Sequence, residues 1–331
     1  MRREFGKAIG IAMSVILMLT GCGSVKQQDM VRVGSLKGPT TIGMLQLMEQ
    51  EKNEKEKRYD FTMAVSADEL TGKLMTGDLD IALIPANVAA ILFWQSGQNV
   101  QILDVNTLGV LYMVSADESV CSFADLKGRT ICLTGKGTSP DIVLQYLLSA
   151  NGIAAEDVEL RYCSEATEVA QILTEDALAI GVLPQPFVTV ACRQNEALKI
   201  VFDLTEEWEK AQEDGSSLVT GVTVATREFV EKHPEKVKKF LEEHEASAAY
   251  VAANPQEAAS WTVEQGIIEK EAVARQAIPG CRVTCLTGAQ MHNALTAYYR
   301  VLYEANPALV GKPEQPPTDE TWNGLYYGVA R

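Results

Sequence analysis

The sequence predicts an α/β fold made of two lobes, because strand-like and helical segments alternate in two separate series. The strand-like segments are short apolar runs, and helical patterns of apolar residues follow them. Strands that alternate with helices along a chain indicate parallel sheets covered by helices. A chain of 331 residues is long for one core and suits two domains. We therefore expect two α/β units connected by two crossings.

The first series opens with the alternating run Val31 to Ser35, and the loop Lys37 to Thr41 leads from it into a helix. Apolar residues from Ile42 to Met48 recur at helical spacing, and Thr40 or Thr41 is placed to cap this helix. The later elements are a strand at Tyr59 to Val65, a helix at Asp68 to Met75, a strand at Asp80 to Ile84 and a helix at Ala86 to Trp94.

The second series starts near Cys121. Its predicted elements are a strand at Thr130 to Leu133, a helix at Ser139 to Ala150, and strands at Val158 to Cys163, Ala177 to Leu183 and Ile200 to Phe202. Two further apolar segments, Leu108 to Ser115 and Leu218 to Thr226, lie before and after this series. We interpret them as the crossings between the lobes. The chain from Arg227 onward is predicted to be mostly helical.

The N-terminus has the three zones of a secretory signal. Basic residues precede an apolar run from Ala8 to Leu19, and small residues precede Cys22. A helix over that run would be about 18 Å long, which is short of the ~30 Å hydrocarbon core, so a permanent span is not expected. The tetrad Leu19-Thr20-Gly21-Cys22 resembles the lipobox of bacterial lipoproteins, which implies that Cys22 is diacylated after cleavage. The alternative is an ordinary signal peptide with a coincidental cysteine.

Charge excludes one class of partner. After removal of residues 1–21, the chain carries 26 Lys and Arg against 43 Asp and Glu, a formal net charge of −17. This balance repels nucleic acid. No later apolar stretch approaches 18 residues, so the lipid is the expected membrane attachment.

Six cysteines remain after Cys22, and we expect most of them to be free thiols. Cys132 and Cys163 lie inside strand-like runs, where a thiol behaves as a small apolar group. Cys281 and Cys285 form the one close pair. A bridge between them is an alternative, and a zinc site is less favoured because His292 is the one histidine nearby and four ligands are normally needed.

Five segments, through their order and spacing, carry a resemblance to a known family. They are Gly34-Ser35-Leu36-Lys37-Gly38-Pro39-Thr40, Gly77-Asp78-Leu79-Asp80-Ile81-Ala82-Leu83-Ile84-Pro85, Asp125-Leu126-Lys127-Gly128, Gly135-Lys136-Gly137-Thr138-Ser139 and Leu183-Pro184-Gln185-Pro186-Phe187. The set resembles the bacterial periplasmic-binding proteins, in the branch of sulfonate, nitrate, taurine and thiamine-precursor receptors of ABC importers. The resemblance covers about Val31 to Glu304, and no single motif is diagnostic.

The resemblance implies a two-lobed type II fold in which each lobe is a mainly parallel sheet flanked by helices. Two crossover strands join the lobes, and the ligand cleft lies between them. The expected organisation is a signal peptide at 1–21, a lipidated tether at 22–29, a discontinuous lobe I at 30–111 and 223–331, and lobe II at 112–222.

Ligands of such sheets bind beyond the carboxyl ends of the parallel strands. Four loops fit that position: Lys37 to Thr41, Pro85 to Asn87, Thr134 to Ser139 and Pro184 to Phe187. None contains arginine, yet helix N-termini offer free N–H groups and partial positive charge that hold a small anion. Candidate ligand-binding residues in the loops and the first crossing are Thr40, Thr41, Asn87, Tyr112, Lys136, Gly137, Thr138, Ser139 and Gln185.

Some of these candidates have a purely structural alternative. Residues Thr134 to Pro140 also suit an ordinary capped helix start, Asn87 could stabilise the first turn of its helix, and Tyr112 could be a half-buried strand tyrosine. Gly221 marks either a bend or a close approach of backbone.

Catalysis has little support in the sequence. His233 and His244 lie in strongly charged segments, where we expect exposed faces, and neither a Gly-x-Ser-x-Gly nor a His-Glu-x-x-His motif occurs. Naphthoate synthases of menaquinone synthesis and pyrimidine synthases of thiamine formation share the fold, but the lipobox argues against these cytoplasmic enzymes. We therefore expect no enzyme, no cofactor and no metal.

The expected function is capture of a small organic solute by an exported lipoprotein anchored at the outer face of the cell membrane. Its expected partners are an ABC permease and its ATPase, and the protein itself is expected to be a monomer. The solute is either a sulfonate or taurine-like anion or a thiamine-precursor-like heterocycle, and the scarcity of aromatic residues near the loops favours the anion. A lipoprotein that senses without transport is a further alternative.

Overall fold

The computed structural model describes residues 30–212, 216–318 and 322–329. The signal segment, Cys22 and the tether lie outside the described residues. The described residues from Val31 onward form one compact unit. None of the described helices combines the length and the apolar character that crossing a membrane requires.

The described residues form strands and helices that alternate through most of the chain. The strands are β1 (Val31–Leu36), β2 (Tyr59–Ala64), β3 (Ile81–Pro85), β4 (Val100–Leu108), β5 (Leu111–Ser115), β6 (Thr130–Thr134), β7 (Glu159–Cys163), β8 (Ile180–Pro184), β9 (Lys199–Asp203), β10 (Val219–Thr226) and β11 (Val283–Leu286). The helices are α1 (Pro39–Ile42), α2 (Leu45–Asn53), α3 (Ala67–Thr76), α4 (Ala86–Gln95), α5 (Ser139–Ala150), α6 (Ala166–Glu175), α7 (Phe187–Gln194), α8 (Leu204–Ala211), α9 (Arg227–Lys232), α10 (Pro234–Ala253), α11 (Pro255–Glu264), α12 (Glu271–Ala277) and α13 (Gly288–Ala305).

The strands form two sheets. Within the described residues, the first sheet has the order β11-β4-β10-β3-β1-β2 and the second has the order β7-β6-β8-β5-β9. In each sheet three strands of one α/β series pair in parallel, and the strand that connects to the other sheet pairs antiparallel with the last of them. The α/β class and the sheets flanked by helices are thus confirmed.

The sheets are mixed, and the expectation of mainly parallel sheets is wrong in this detail. In the first sheet β10 runs antiparallel to both β3 and β4, and in the second sheet β5 runs antiparallel to both β8 and β9. The reason is that β5 follows β4 of the first sheet and β10 follows β9 of the second, so neither strand returns to its own sheet by a βαβ crossover. Only strands that return through a crossover helix must be parallel.

The first crossing contains a break that the apolar pattern concealed. Gly109 and Val110 separate β4 from β5, and both have a positive φ, of 66° and 76°. A β-branched residue with positive φ is a strained outlier. The sequence interpretation as one strand from Leu108 to Ser115 therefore missed both this joint and most of β4.

Two local expectations for the first helix are also corrected. Thr40 and Thr41 do not cap a helix, because both lie inside the short helix α1 and donate their hydroxyls to the carbonyl of Leu36 at 2.8 and 2.6 Å. The helix then breaks and resumes as α2 at Leu45. Polar hydroxyls near a helix start can bond backward to preceding carbonyls as readily as they cap.

His244 is fully buried, contrary to the exposed position expected from its charged neighbourhood. It shares one stripe of α10 with Val237, Phe240, Ser247 and Val251, which are also buried. Helical spacing places position 244 on the core face whatever the charge of its sequence neighbours. His233 is exposed as expected.

A column of aromatic rings packs the C-terminal helix α13 against elements of both sheets. Trp208 of α8 lies 4.9 Å from Tyr146 of α5 and 5.5 Å from Tyr298 of α13, between ring centroids. The column continues through Tyr299 to Trp322. Large buried aromatic pairs contribute strongly to stability, so this column connects α13 through Trp208 of α8 to α5, the helix that starts at the cleft described below.

Two glycines make a matched test of this packing. A Cβ atom at Gly34 of β1 would lie 2.4 Å from Leu79 and 2.7 Å from Leu70, both buried, whereas a Cβ at Gly72 of α3 would meet nothing within 4 Å. We expect Gly34→Ala to lower the free energy of unfolding by about 1–3 kcal/mol through overpacking. Gly72→Ala should raise it by about 0.5–1 kcal/mol because glycine weakens a helix interior. Urea unfolding measures both changes, and equal effects would contradict the packing of β1 on α3.

Candidate functional site

A cleft of about 380 Å³ lies where loops of both sheets converge. The loops that line it follow the carboxyl ends of β1, β2 and β3 in the first sheet and of β6, β7 and β8 in the second. The β4–β5 joint and β10 complete its wall through Thr107, Val110, Leu111, Thr220 and Gly221. Its position at the strand ends is where open α/β sheets bind ligands.

The four loops expected from the sequence all contribute to this cleft, and two loops were missed. The missed loops are Val65 to Asp68 after β2 and Ser164 to Thr167 after β7. Both follow strands that the sequence did predict. Because every parallel strand of one sheet ends at the same edge, the rule used for the other loops would have found these two as well.

Four of the nine candidate residues line the cleft: Thr40, Lys136, Thr138 and Ser139. Backbone carbonyls orient two of the hydroxyls, because Thr138 donates to the carbonyl of Gly135 at 2.7 Å and Ser139 donates to the carbonyl of Thr220 at 3.2 Å. A hydroxyl that donates its proton keeps its lone pairs, so these oxygens can still accept a hydrogen bond from a ligand.

The loop before α5 depends on two glycines with left-handed backbone. Gly135 and Gly137 have φ of 71° and 73°. A Cβ at Gly135 would lie 2.2 Å from the Thr138 hydroxyl oxygen, so a side chain there would displace a cleft-lining group. Glycine is the residue that adopts this conformation without strain.

Asp141 holds the loop before α5 in place through a hydrogen bond to Gly137. Asp141 is not among the candidate residues predicted from the sequence. Its carboxylate is buried and accepts hydrogen bonds from the Gly137 N–H at 2.7 Å, the Tyr162 hydroxyl at 2.8 Å and the Gln145 amide at 2.6 Å. Burial and the bond to Asp141 together raise the pKa of Tyr162. The signal available was an acidic residue in the first turn of a helix after a Gly-rich loop.

Asn87 and Gly137 lie beside the cleft and join its two sides. The Asn87 side chain, fully buried on α4, donates to the carbonyl of Gly137 at 2.9 Å. Its Oδ1 atom has no hydrogen-bond partner within the described part of the chain. Asn87 therefore links a helix of the first sheet to the loop of the second, which neither sequence interpretation of this residue foresaw.

Thr41, Tyr112 and Gln185 lie outside the cleft lining. Thr41 is buried against Ser35, at 2.7 Å between hydroxyl oxygens. Tyr112 packs in the core of the second sheet, where burial, and after it the charge of Asp203, raises its pKa. Gln185 accepts a hydrogen bond from the Thr189 hydroxyl at 2.8 Å and packs against Gly280. A ligand-binding role for these three stays a prediction.

Charged side chains of both signs line the cleft. The first sheet contributes Lys37 and Asp68, and the second contributes Lys136 and Glu165. The Lys136 ammonium also lies 5.3 Å from the centre of the Tyr162 ring, within range of a cation–π contact. Among the described residues that line the cleft there is no arginine, histidine or cysteine.

Sequence comparison matches residues 100–258 to the family described as NMT1/THI5 like. Over these residues, which make up a little less than half of the chain, the sequence is similar to that family. The match contains β4 and β5, the entire second α/β series and β10, which together form one side of the cleft and both connections between the sheets. The resemblance found in the sequence motifs is thus confirmed.

Curated relatives of this chain occur in Brucella abortus and Brucella suis, where they are provisionally named binding proteins. Each is 24% identical over 211 residues, or 64% of this chain. The chain spans 63% of the length of these relatives.

Solved structures of low sequence identity share the fold. An ABC transporter protein of Parabacteroides distasonis is 24% identical with a TM-score of 0.71, over 88% of this chain and 97% of its own. The periplasmic aliphatic sulphonate-binding protein SsuA of Escherichia coli is 14% identical with a TM-score of 0.69, over 88% and 98%. The alkanesulfonate-binding protein SsuA of Xanthomonas axonopodis pv. citri, bound to MOPS, is 14% identical with a TM-score of 0.70, over 91% and 99%. The fold is therefore that of the periplasmic binding proteins.

Proposed function

We propose that this protein is the substrate-binding component of an ABC importer, exported and anchored by a lipid on Cys22. In this proposal it captures a small organic solute in the cleft and delivers it to a membrane permease. The observation that carries the proposal is the cleft itself, because its volume of about 380 Å³ suits a small molecule and loops from both sheets surround it. The sulfonate-binding functions named for the structural relatives support it.

The connections between the sheets suit a protein that closes over its ligand. One connection is the strained joint Gly109-Val110, which forms part of the cleft wall, and the other leads into β10. Hinge motions concentrate at a few such positions between packed bodies. The hydrogen bond between Asn87 and Gly137 beside the cleft already joins its two sides, so a ligand that also contacts both sides would stabilise this arrangement.

The charges of the cleft favour a solute that is neutral overall, either zwitterionic or uncharged. Two lysines are matched by two carboxylates, and the Asp141 carboxylate already accepts the Gly137 N–H at the start of α5. The carboxylates of Asp68 and Glu165 would repel a simple anion, because such a solute has no positive group to pair with them. The balanced charge of the cleft therefore favours a taurine-like aminosulfonate or a neutral heterocycle over an alkanesulfonate or nitrate, whereas the sequence alone favours the anion.

An enzymatic role has no comparable support. General acid–base and nucleophilic catalysis most often use histidine or cysteine, and neither lines the described cleft. His244 and His292 are both buried in helices of the C-terminal part. The named relatives are binding proteins or transporter components, in keeping with capture rather than conversion of the solute.

A thermal-shift comparison of paired ligands tests this proposal. Taurine and ethanesulfonate have the same sulfonate and chain length and differ by one ammonium group, and an aminopyrimidine thiamine precursor represents the neutral class. We expect taurine or the aminopyrimidine to stabilise the protein and ethanesulfonate to have a much smaller effect. A ligand present at 100 times its Kd should add about 2.7 kcal/mol to the free energy of unfolding.

A pair of charge variants provides the control for that experiment. Glu165→Gln removes a carboxylate that lines the cleft, whereas Glu175→Gln removes an exposed carboxylate at the other end of the same helix. The first variant should reduce the preference for taurine over ethanesulfonate, and the second should leave it unchanged. Stronger stabilisation by ethanesulfonate would refute the charge argument, and no stabilisation by any small solute would refute the receptor function itself.

A further inference from the structure

Three potential metal ligands from distant parts of the chain meet where α10 packs on the β11–β4 edge of the first sheet. They are Asp104 of β4, His244 of α10 and Cys285 of β11, and one donor atom from each lies within 4.8 Å of the other two. None of the three lines the cleft. Spacing in the sequence does not reveal the cluster, because the histidine nearest to Cys285 in the sequence is His292, whereas His244 approaches Cys285 only in the folded chain.

The burial of this cluster is unusual for polar groups. Asp104 and His244 are both 0% exposed, and Cys285 is partly exposed. Buried charged groups are costly unless they are paired or bind a metal ion. The ligand atoms of Asp104 and His244 are therefore held out of water.

The three side chains contact one another in the absence of a metal ion. His244 Nδ1 lies 3.1 Å from one oxygen of Asp104, and the Cys285 sulfur faces the Asp104 carboxylate and lies 3.9 Å from the carbonyl of Leu241. A cation bound among them would take the place of the contact between Asp104 and His244, with Nδ1 as the histidine ligand and the imidazole proton on Nε2.

The spacing of Asp104 and His244 suits a small tetrahedral cation. Two ligands held about 2.1 Å from a tetrahedral zinc ion lie roughly 3.4 Å apart, close to the distance between Asp104 and His244. Carboxylate oxygen, imidazole nitrogen and thiolate sulfur are all zinc ligands. The other Asp104 oxygen accepts a hydrogen bond from the Thr223 hydroxyl at 2.8 Å, the kind of outer contact that orients a ligating carboxylate.

We infer that Asp104, His244 and Cys285 form a binding site for a zinc-like divalent cation, separate from the solute cleft. Three protein ligands leave a fourth position for water. Binding would displace the thiol proton of Cys285 and tie α10 and β11 to β4. The site would thus fasten the C-terminal part of the chain to the sheet that carries one half of the cleft.

Cobalt(II) titration of the tag-free, chelator-treated protein tests the inference. Cobalt(II) bound to a thiolate gives a charge-transfer band in the near ultraviolet, so we expect this band to saturate at one metal per chain. Cys285→Ser should abolish the band. Cys281→Ser is the matched control, because Cys281 is a buried free cysteine four positions away that is not in the cluster, and this variant should keep the band.

A second measurement uses the unaltered protein and therefore does not require that the cysteine variants fold. Zinc should slow the alkylation of Cys285 by iodoacetamide by about tenfold or more, because a metal-bound thiolate is shielded, and it should not change the alkylation of the exposed Cys121. Peptide mapping by mass spectrometry assigns the labelled residue. Absence of a saturating band, survival of the band in Cys285→Ser, or unchanged alkylation of Cys285 would each overturn the proposed site.

Discussion

Replacing Cys22 by serine should abolish incorporation of labelled palmitate into the protein. The lipid is attached through a thioether to the cysteine sulfur in the lipoproteins that this N-terminus resembles, and a serine hydroxyl is a far weaker nucleophile than a thiolate. Two acyl chains anchor a protein stably, whereas one chain gives marginal binding. None of the helices in the described part of the chain could replace that anchor.

The matched control is Cys121→Ser, which changes an exposed cysteine in a loop of the described part of the chain. That variant should incorporate palmitate as the original protein does. Palmitate incorporation is the appropriate readout because an uncleaved precursor could stay at the membrane through its apolar segment at residues 8–19. Labelling of Cys22→Ser, or no labelling of the unaltered protein, would contradict the lipoprotein assignment.

Replacing Asp141 by alanine should weaken solute binding by at least about tenfold, or about 1.4 kcal/mol, without removing any group that lines the cleft. The carboxylate accepts three hydrogen bonds and holds the loop from Gly135 to Thr138 in place. Without it, the Gly137 N–H and the Tyr162 hydroxyl lose their acceptor. The free energy of unfolding should fall by about 1–3 kcal/mol, the usual cost of leaving buried donors unsatisfied.

Asp125→Ala separates the loop effect from a general loss of stability. Asp125 also accepts three hydrogen bonds, from the N–H groups of Cys121 and Ser122 and the Ser122 hydroxyl, in an exposed turn that does not line the cleft. Calorimetric titration with the solute should give unchanged affinity for this variant. If Asp141→Ala binds as tightly as Asp125→Ala, the loop does not contribute to the site.

Most of the fold was predictable because the core elements follow simple periodicities. The helix Ser139 to Ala150 and the strands of both α/β series lie within a few residues of their expected positions. The sheet directions were harder, since β5 and β10 have the same apolar pattern as parallel strands. Only the path of the chain between the two sheets sets their orientation, and no local pattern records it.

The site was predictable as a set of loops but less well as a set of side chains. The strand-end rule found four loops that line the cleft, and Thr138 and Ser139 lie where it placed them. The strand-end rule does not identify the side chains whose hydrogen bonds are already made to other groups of the protein. Thr41 bonds to Leu36, and Gln185 bonds to Thr189. Such bonds depend on contacts that form only when the chain has folded.

The cleft between the two sheets is the proposed binding site for one small solute. A crystal structure of the protein with the best ligand of the thermal-shift comparison provides the decisive measurement. We expect one ligand per chain, contacted by the loop from Thr134 to Pro140 on one side and by Lys37 or Thr40 on the other. Ligand density elsewhere on the protein, with the cleft filled only by solvent, would contradict it.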